Sequence, residues 1–244
     1  MKHDDNPISD SYRHLPGLSG RLTPLEQSLV RMTPDVFALW DERARALGRP
    51  ANWRLPDEER ESNRRTILCN LGQADDLWVF SYGSLMWDPA LVFAEVRLAE
   101  LPGYQRRFSF KTTLGRGCQD HPALMLSLDE QAGNCCKGLV FRIAADKVQA
   151  ESEMLWRREM LRGTYCPRML QVDTPQGHVC ALVFTANPAH GDYVGALTLQ
   201  QTAAMINKAH GVIGSNRHYV EQLAGQLEAL EIEDVYVAEL MKLL

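Results

Sequence analysis

The sequence lacks any apolar run long enough to cross a membrane. No stretch reaches the roughly 18 consecutive apolar residues that indicate a transmembrane helix. The first residues, MKHDDNPISDSYRH, are acidic and polar, and they have neither the basic start nor the apolar run of a secretory signal. We therefore expect a cytoplasmic protein with no membrane partner.

The chain also lacks an excess of positive charge. Its 244 residues include 26 Lys and Arg and 31 Asp and Glu, which gives a formal net charge of −5. Such a chain has no overall field that would hold the phosphates of a nucleic acid or an anionic membrane surface. We expect neither as a partner.

The six cysteines lack the CxxC spacing that is typical of metal and redox sites. They are dispersed through a chain that is large enough to fold without disulfide bonds, so we interpret them as reduced thiols. A glycine-rich phosphate-binding motif is absent as well. With 45% hydrophobic and 23% charged residues, the composition is that of an ordinary globular protein and argues against disorder.

Residues 1–75 differ from the rest of the chain because they are rich in Pro, Arg and acidic residues. Thr33-Pro34-Asp35 predicts the start of a helix that ends at Gly48, and a second helix is predicted from near Pro56. We predict that this segment is a helical extension packed on a main domain of residues 76–244. A cover or an oligomer contact is favoured over a catalytic role, because the acid–base residues here lack an apolar frame.

From residue 77 onward, the sequence changes to short strand-like runs separated by turn residues. These runs cover residues 77–80, 104–110, 123–128, 138–143 and 179–184. Helices are predicted at about residues 146–161, 198–210 and 217–230, the last with Ser215 and Asn216 as candidate caps. Because most strands follow one another without an intervening helix, we expect an α+β fold with a mainly antiparallel or mixed, curled sheet.

The segment from Val79 to Trp87, VFSYGSLMW, is the first candidate for chemistry. An apolar strand runs directly into Tyr82-Gly83-Ser84, and a glycine just past a strand end allows a bend whose backbone N–H groups can bind a carboxylate or an oxyanion. Taken alone, the motif is weak, and a simple strand-terminating turn is the favoured interpretation.

The helix predicted after the fourth strand carries the second candidate. At 100° per residue, Glu159 falls in the apolar sector that also contains Leu155 and Trp156. A desolvated carboxylate titrates above its ordinary pKa, toward the range that suits a general base near neutral pH. From position alone, an internal ion pair with Arg158 or Arg162 is a slightly favoured alternative.

Several motifs occur in an order and at a spacing that match one known family. They are LWVFSYGSLMWDPA, YQRRFSF, the Gly and Arg of TLGRG, GLVFRI, LWRREMLRGTY followed by Pro167, and the late Gly214-Ser215-Asn216 with Tyr219-Val220. From about Leu77 to about Leu230, the chain resembles the ChaC family of γ-glutamylcyclotransferases. An ordered combination of motifs is far more specific than any one of them. The resemblance implies a barrel-like mixed sheet flanked by helices.

The resemblance also implies roles for individual residues. Glu159 matches the catalytic glutamate of the family, and Tyr165 matches a tyrosine that lines the same pocket. The resemblance implies that backbone amides of one loop and the residues beside it bind the γ-glutamyl group. These residues are Val79, Phe80, Ser81, Tyr82, Gly83, Ser84 and Leu85. Ser81 stands where relatives often have Gly.

The implied substrate is glutathione, a small molecule, and the implied activity is that of a lyase. The α-amine of the γ-glutamyl group attacks its own γ-carbonyl, which releases 5-oxoproline and Cys-Gly. Glu159 would remove the proton that blocks this amine and return it to the departing nitrogen. Neither step needs a metal, nucleotide or flavin, so we expect no cofactor.

Other interpretations stay open at this stage. The chain could cyclise other γ-glutamyl amines or peptides, or it could be a non-catalytic regulatory module that binds a partner through its N-terminal helices. A thiol hydrolase using Cys166 with His178 or His121 lacks an evident positioned base, and His178 with Cys180 lacks a second ligand pair for a metal. Oligomeric state is left open.

Overall fold

A closed five-stranded barrel flanked by helices forms the architecture of the protein, in a computed structural model that describes residues 10–244. The barrel strands are β1 (Leu77–Ser81), β2 (Glu95–Thr112), β3 (Ala123–Ile143), β4 (Tyr165–Thr174) and β5 (Gly177–Ala186). They are hydrogen-bonded in the order β1-β3-β2-β4-β5, and β5 closes the barrel against β1. The β1–β5 pair is parallel and the others are antiparallel, so the expected mixed, curled sheet is confirmed.

The barrel is dominated by a long antiparallel ribbon of β2 and β3. The runs at 123–128 and 138–143, predicted as separate strands, belong to the one strand β3, and β2 begins nine residues before the predicted position 104. The pairing of β2 with β3 shifts register near residue 103 and near residue 109. Such irregularities bend a strand and increase its twist, which helps the ribbon to curl into a barrel.

A glycine permits the closest approach between β1 and β3. A Cβ added to Gly138 would lie 2.2 Å from the backbone oxygen of Ser81. This distance is far below a van der Waals contact, so any other residue would push the two strands apart. Because Gly138 has no side chain, the end of β1, where the candidate loop begins, can lie close against β3.

Both faces of β1 are buried, which explains its continuous apolar sequence. Leu77 and Val79 belong to a core cluster that includes Leu155 and Trp156, whereas Phe80 belongs to a larger cluster with residues of the C-terminal helices. A strand that is covered on both faces has no need of polar alternation. The core thus fixes the direction in which β1 delivers its C-terminal loop.

Six α-helices within residues 34–241 flank the barrel. They are α1 (Pro34–Ala46), α2 (Asp57–Ile67), α3 (Val148–Glu159), α4 (Leu199–Lys208), α5 (Asn216–Ala229) and α6 (Val235–Met241), and a small hairpin of β6 (His210–Gly211) and β7 (Gly214–Ser215) precedes α5. The caps predicted at Thr33 and Ser215 are confirmed, because the Thr33 side chain accepts a hydrogen bond from Val36 and the Ser215 side chain accepts one from His218. Asn216, the other candidate cap, is instead the first residue of α5, and its side chain is hydrogen-bonded to the backbone of Leu124.

The described part of the N-terminal segment packs on the barrel and on α3. The guanidinium of Arg31 donates two hydrogen bonds of 2.8 Å to the carboxylate of Glu151, which is almost completely buried. The amide of Leu55 donates to the carbonyl of Leu161 at 2.9 Å. The predicted packing of this segment on the rest of the chain is therefore observed, while the boundary between residues 75 and 76 stays a prediction.

Within residues 10–244, no helix combines the length and the apolar character that crossing a membrane requires. The six cysteines all lie in this range and are free, and Cys136 is the one that is buried.

Candidate active site

The loop that follows β1 forms one side of the candidate site. Ser84–Met86 make a short 3₁₀ helix that begins right after Gly83. Within the described residues, the backbone N–H groups of Gly83 and Leu85 donate to no protein acceptor. A Cβ at Gly83 would lie 3.0 Å from the hydroxyl oxygen of Tyr219, so glycine leaves room for the neighbouring side chains. The loop therefore offers free donors next to a tyrosine.

Buried side chains hold this loop in place. The hydroxyl of Tyr82 donates to the carbonyl of Phe184 on β5 at 2.9 Å, and Arg106 Nε donates to the carbonyl of Tyr82 at 3.1 Å. Arg106, from the YQRRFSF motif, is itself buried and pairs with Asp234. The loop is thus bonded to the barrel through its own backbone and through the Tyr82 hydroxyl.

Glu159 lies opposite the loop as the last residue of α3. Its neighbours Leu155 and Trp156 are buried, as the helical pattern predicted, and the Glu159 side chain is 15% exposed. Burial raises the pKa of the Glu159 carboxyl above its ordinary value, and the guanidinium of Arg158 offsets part of this rise. The negative end of the α3 dipole also disfavours the ionised carboxylate. Glu159 thus has the properties of a base that can hold and release a proton.

Arg158 is one of the two ion-pair partners that the helical position of Glu159 allowed. Its Nε lies 3.1 Å from Glu159 Oε1, so the acid is paired. The same guanidinium donates to Ser84 Oγ at 2.9 Å and to the carbonyl of Asp88 at 2.7 Å. Adjacent residues on a helix seldom face each other. The Arg158–Glu159 contact therefore depends on the hydrogen bonds from Arg158 to Ser84 and Asp88, which orient the guanidinium. The other proposed partner, Arg162, pairs with Asp192 instead.

The carboxylate and the loop meet in a narrow recess of the barrel. Residues from both segments and from Tyr165 line it, namely Phe80, Tyr82, Gly83, Ser84, Leu85, Leu126, Glu159, Tyr165, Phe184 and Tyr219. Ser84, Leu126, Glu159, Tyr165 and Tyr219 also line a wider cavity of about 260 Å³ that opens outward. The two spaces therefore form one pocket with a tight inner end and a broad outer part.

Three tyrosines give the inner end its polar character. Burial raises the pKa of Tyr219 to about 12 and raises the pKa values of Tyr82 and Tyr165 well above the ordinary value. The charge of Glu159 acts in the same direction on all three. These hydroxyls are accordingly neutral near physiological pH. Two of them donate hydrogen bonds to backbone carbonyls, Tyr82 to Phe184 at 2.9 Å and Tyr165 to Leu126 at 2.8 Å.

Most residues predicted for the site meet in the recess, but two do not line it. Val79 is completely buried in the core cluster behind β1, and Ser81 is completely buried with no hydrogen-bond partner for its hydroxyl among the described residues. Ser81 continues β1 without a positive φ, so serine is accommodated where relatives often have Gly.

Two side chains of the site had not been assigned a role there. Arg158 had been considered only as a partner of Glu159, although it also contacts the loop. Tyr219 had been noted as part of a motif, and it enters the pocket from the first turns of α5, which the Ser215 cap positions. Neither role has a signal in sequence spacing, because both depend on contacts between distant segments.

The geometry argues against the alternative of a thiol hydrolase that uses Cys166 with His178. His178 is paired with Asp173, at 2.6 Å, near the exposed end of the β4–β5 hairpin. Asp173 lies seven residues from Cys166 along β4, a separation of about 23 Å at 3.3 Å per residue. No cluster of three or more His, Cys, Asp or Glu side chains suited to a metal ion occurs within residues 10–244.

Comparisons with known proteins agree on one family. Residues 77–244 match the model of the family described as ChaC-like protein. Over 178 residues, the chain is 35% identical to a glutathione-specific γ-glutamylcyclotransferase of Escherichia coli K12, covering 72% of this chain and 76% of that protein. It is 33% identical over 172 residues to γ-glutamylcyclotransferase 2-1 of Arabidopsis thaliana, covering 67% and 80%.

A solved structure shares the fold. The crystal structure of a yeast γ-glutamyl cyclotransferase specific to glutathione superposes with a TM-score of 0.63 at 22% identity, covering 69% of this chain and 95% of that chain. At this identity, the likeness concerns the barrel and its helices. Together with the family match and the pocket that joins the loop after β1 to Glu159, it shows that the chain belongs to the ChaC family of γ-glutamylcyclotransferases.

Proposed function

We propose that this protein is a glutathione-specific γ-glutamylcyclotransferase that releases 5-oxoproline and cysteinylglycine. The observation that carries the proposal is the desolvated Glu159 carboxyl facing the loop of Tyr82 and Gly83 across a narrow recess. The relatives named above, which cyclise γ-glutamyl compounds according to their names, support the same activity. A cytoplasmic location and the absence of a cofactor stay predictions.

The mechanism requires one group that both accepts and donates a proton. The α-ammonium of the γ-glutamyl group cannot attack until it loses a proton, and the Glu159 carboxylate takes that proton. The freed amine attacks the γ-carbonyl carbon and a new C–N bond closes the five-membered lactam. The old C–N bond to the cysteinyl nitrogen then breaks as the Glu159 carboxyl gives its proton to that nitrogen. The second proton, which the attacking nitrogen sheds on becoming the lactam N–H, goes to the released amine, which leaves as an ammonium.

The loop supplies orientation and charge stabilisation in this proposal. The N–H groups of Gly83 and Leu85, which have no protein acceptor, are suited to bind the oxyanion of the tetrahedral intermediate or the carboxylate of the glutamyl group. A donor lost from such a site typically lowers the rate about 10²–10³-fold. Folding the γ-glutamyl chain in the recess brings its nitrogen close to its own carbonyl carbon, which removes much of the entropic barrier.

Arg158 has an electrostatic and positioning role in the proposed mechanism. Its guanidinium contacts Glu159 Oε1 and the Ser84 side chain, so it keeps the base and the loop at a fixed separation. Its positive charge also keeps the pKa of Glu159 from rising as far as burial alone would move it. Arg158 therefore favours the carboxylate form of Glu159, which is the form that accepts a proton.

A substrate panel tests the proposal. Purified protein is incubated with glutathione, γ-glutamyl-alanine and γ-glutamyl-lysine, and 5-oxoproline is measured by mass spectrometry. We expect release from glutathione with a kcat/KM well above that of the other two. Release from γ-glutamyl-alanine or γ-glutamyl-lysine in preference to glutathione would instead favour a broader cyclotransferase, as the name of the Arabidopsis relative allows. No release from any of them would indicate a non-catalytic module.

A further inference from the structure

The outer part of the pocket has a wall that comes from outside the family-matched region. Trp40 lies on α1, in the N-terminal segment that precedes the matched residues 77–244, yet it lines the wider cavity together with Glu159. Trp40 does not line the narrow recess. It therefore faces the part of the pocket into which a substrate extends when its reacting end is at Glu159.

Several contacts anchor the helix that carries Trp40. Trp40 shares one face of α1 with Phe37 and Ala44, which are three residues before and four residues after it and are both buried. The ring of Phe37 is covered by the guanidinium groups of Arg54 and Arg60, at 4.4 and 4.7 Å from its centroid. Trp40 is thus a half-buried side chain on a helix that is anchored by its neighbours.

The end of α1 is also bonded to the rim of the cavity. Arg49, just after the helix, donates to the carbonyl of Thr113 at 3.0 Å and lies 3.4 Å from its hydroxyl. The next residues, Leu114, Gly115 and Arg116, line the cavity. The N-terminal segment thus carries Trp40 and is also bonded next to Leu114, Gly115 and Arg116 of the cavity lining.

We infer that Trp40 is a specificity-determining residue that contacts the leaving half of the substrate. The inference rests on the proposed function, in which the γ-glutamyl group occupies the recess and the remaining peptide lies in the outer cavity. An indole combines a large apolar face with one N–H donor, which suits a short peptide carrying an apolar side chain and polar amides. Lys111 and Arg116 line the same outer part, are absent from the recess and have no carboxylate partner within residues 10–244, so they supply positive charge toward a peptide carboxylate, whereas Arg162 is paired with Asp192.

The test compares a full substrate with a truncated one in the full-length protein. γ-Glutamylmethylamide keeps the γ-glutamyl group and the scissile amide but lacks the peptide. In Trp40→Ala, we expect kcat/KM for glutathione to fall about tenfold, in the range that a lost pocket contact usually gives, and kcat/KM for γ-glutamylmethylamide to stay at the parent value. Trp40→Phe, which keeps an aromatic ring, should retain most of the parent kcat/KM for glutathione.

The matched control is Leu39→Ala. Leu39 is the preceding residue of α1, is 45% exposed and does not line the cavity. We expect this variant to retain the parent ratio of kcat/KM for the two substrates. An unchanged ratio in Trp40→Ala, or an equal loss for both substrates, would overturn the inference.

A binding measurement separates failure of this inference from failure of the proposed function. Calorimetry in the Glu159→Gln background compares the affinities for glutathione and for L-glutamate with and without Trp40→Ala. We expect only the glutathione affinity to fall. If the parent protein releases 5-oxoproline but Trp40→Ala alters neither selectivity nor affinity, only the inference fails. If glutathione is neither cleaved nor bound, both fail.

Discussion

Glu159 lies where burial and the end of a helix act in the same direction on a carboxyl group. Both disfavour its charge, and Arg158 opposes them from 3.1 Å. A carboxyl with a raised pKa binds its proton more tightly in the folded protein than in the unfolded chain. Its ionisation therefore costs stability as the pH rises past the ordinary carboxyl pKa, and that cost is the physical origin of its basicity.

The pH dependence of the proposed activity tests this balance. Since Glu159 must be ionised to accept a proton, kcat/KM should rise with pH along a limb that lies above the ordinary carboxyl range. In Arg158→Gln, the nearby cation is lost, the pKa of Glu159 rises further and the limb should move about one pH unit upward. The measurement is 5-oxoproline release as a function of pH.

Arg157→Gln is the control for this pH profile. Arg157 belongs to the same helical turn but pairs with Glu153 at 3.5 Å, and it does not line the pocket. Its loss should leave the limb in place. An Arg158→Gln limb at the parent position would show that Arg158 does not tune Glu159.

The hydroxyl of Tyr82 holds the loop after β1 against β5. It donates to the carbonyl of Phe184, so Tyr82→Phe leaves a buried acceptor without a partner. We expect a loss of about 1–2 kcal/mol in the free energy of unfolding and a higher KM for glutathione, because the loop after β1 is less firmly held. Urea unfolding and steady-state kinetics check the two effects. A normal stability with a normal KM would show that this bond contributes nothing.

The elements place the site by holding β1 between β3 and β5, with its last residue, Ser81, paired to β3. Gly138 on β3 is the position at which this arrangement is most sensitive, because a Cβ there would meet the Ser81 oxygen at 2.2 Å. A single methyl group must displace either strand. The loop that follows Ser81 would move with it, so packing and activity are coupled at this point.

We therefore expect Gly138→Ala to lower the free energy of unfolding by about 1–3 kcal/mol, as overpacking typically does, and to lower activity as well. Gly225→Ala is the control, since Gly225 lies within α5 with no atom within 4 Å of an added Cβ. That change should be neutral or stabilising, because alanine is the better helix former. Equal stabilities of the two variants in urea unfolding would contradict the account of the β1–β3 contact.

Sequence patterns predicted the elements whose own residues determine them. The caps at Thr33 and Ser215 fix the starts of α1 and α5, and the apolar run of β1 reflects burial on both faces. β4 was missed because Pro167, Arg168 and Gln171 interrupt any apolar alternation. Its register with β5 makes it a strand all the same.

The same distinction applies to the site. Tyr82, Gly83 and Glu159 could be predicted because each lies in a local motif that the family shares. The hydrogen bond from Arg158 to Ser84 could not be predicted, because these residues are 74 positions apart in the sequence. The position of Trp40 in the cavity lining could not be predicted either, because Trp40 is distant in sequence from the other residues of the site. Such contacts follow from tertiary packing alone.

At the scale of the whole molecule, the N-terminal segment is integrated with the barrel. Its contacts include the two hydrogen bonds from Arg31 to the buried carboxylate of Glu151, which also accepts the amide of Val92 at 3.1 Å. Removing Arg31 leaves that carboxylate buried without its countercharge. The consequence should reach the pocket, because the same segment carries Trp40.

Arg31→Ala is accordingly expected to lower the free energy of unfolding by about 3–5 kcal/mol, the usual cost of breaking a buried pair by removing one partner. Arg217→Ala removes a partner of the exposed pair with Glu221 and should cost less than about 1 kcal/mol. Thermal and urea unfolding of the two variants give the comparison. Equal losses would mean that the Arg31 pair does not secure the segment.

The most direct test of the central claim is 5-oxoproline release from glutathione by Glu159→Gln beside the parent protein. We predict that the variant folds with unchanged or higher stability, since it no longer buries an ionisable group, and that it still binds glutathione in calorimetry. Its turnover should fall by about 10³-fold, within the range that a general acid–base residue contributes. Comparable 5-oxoproline release by variant and parent would contradict the assignment of Glu159 as the proton-transferring group.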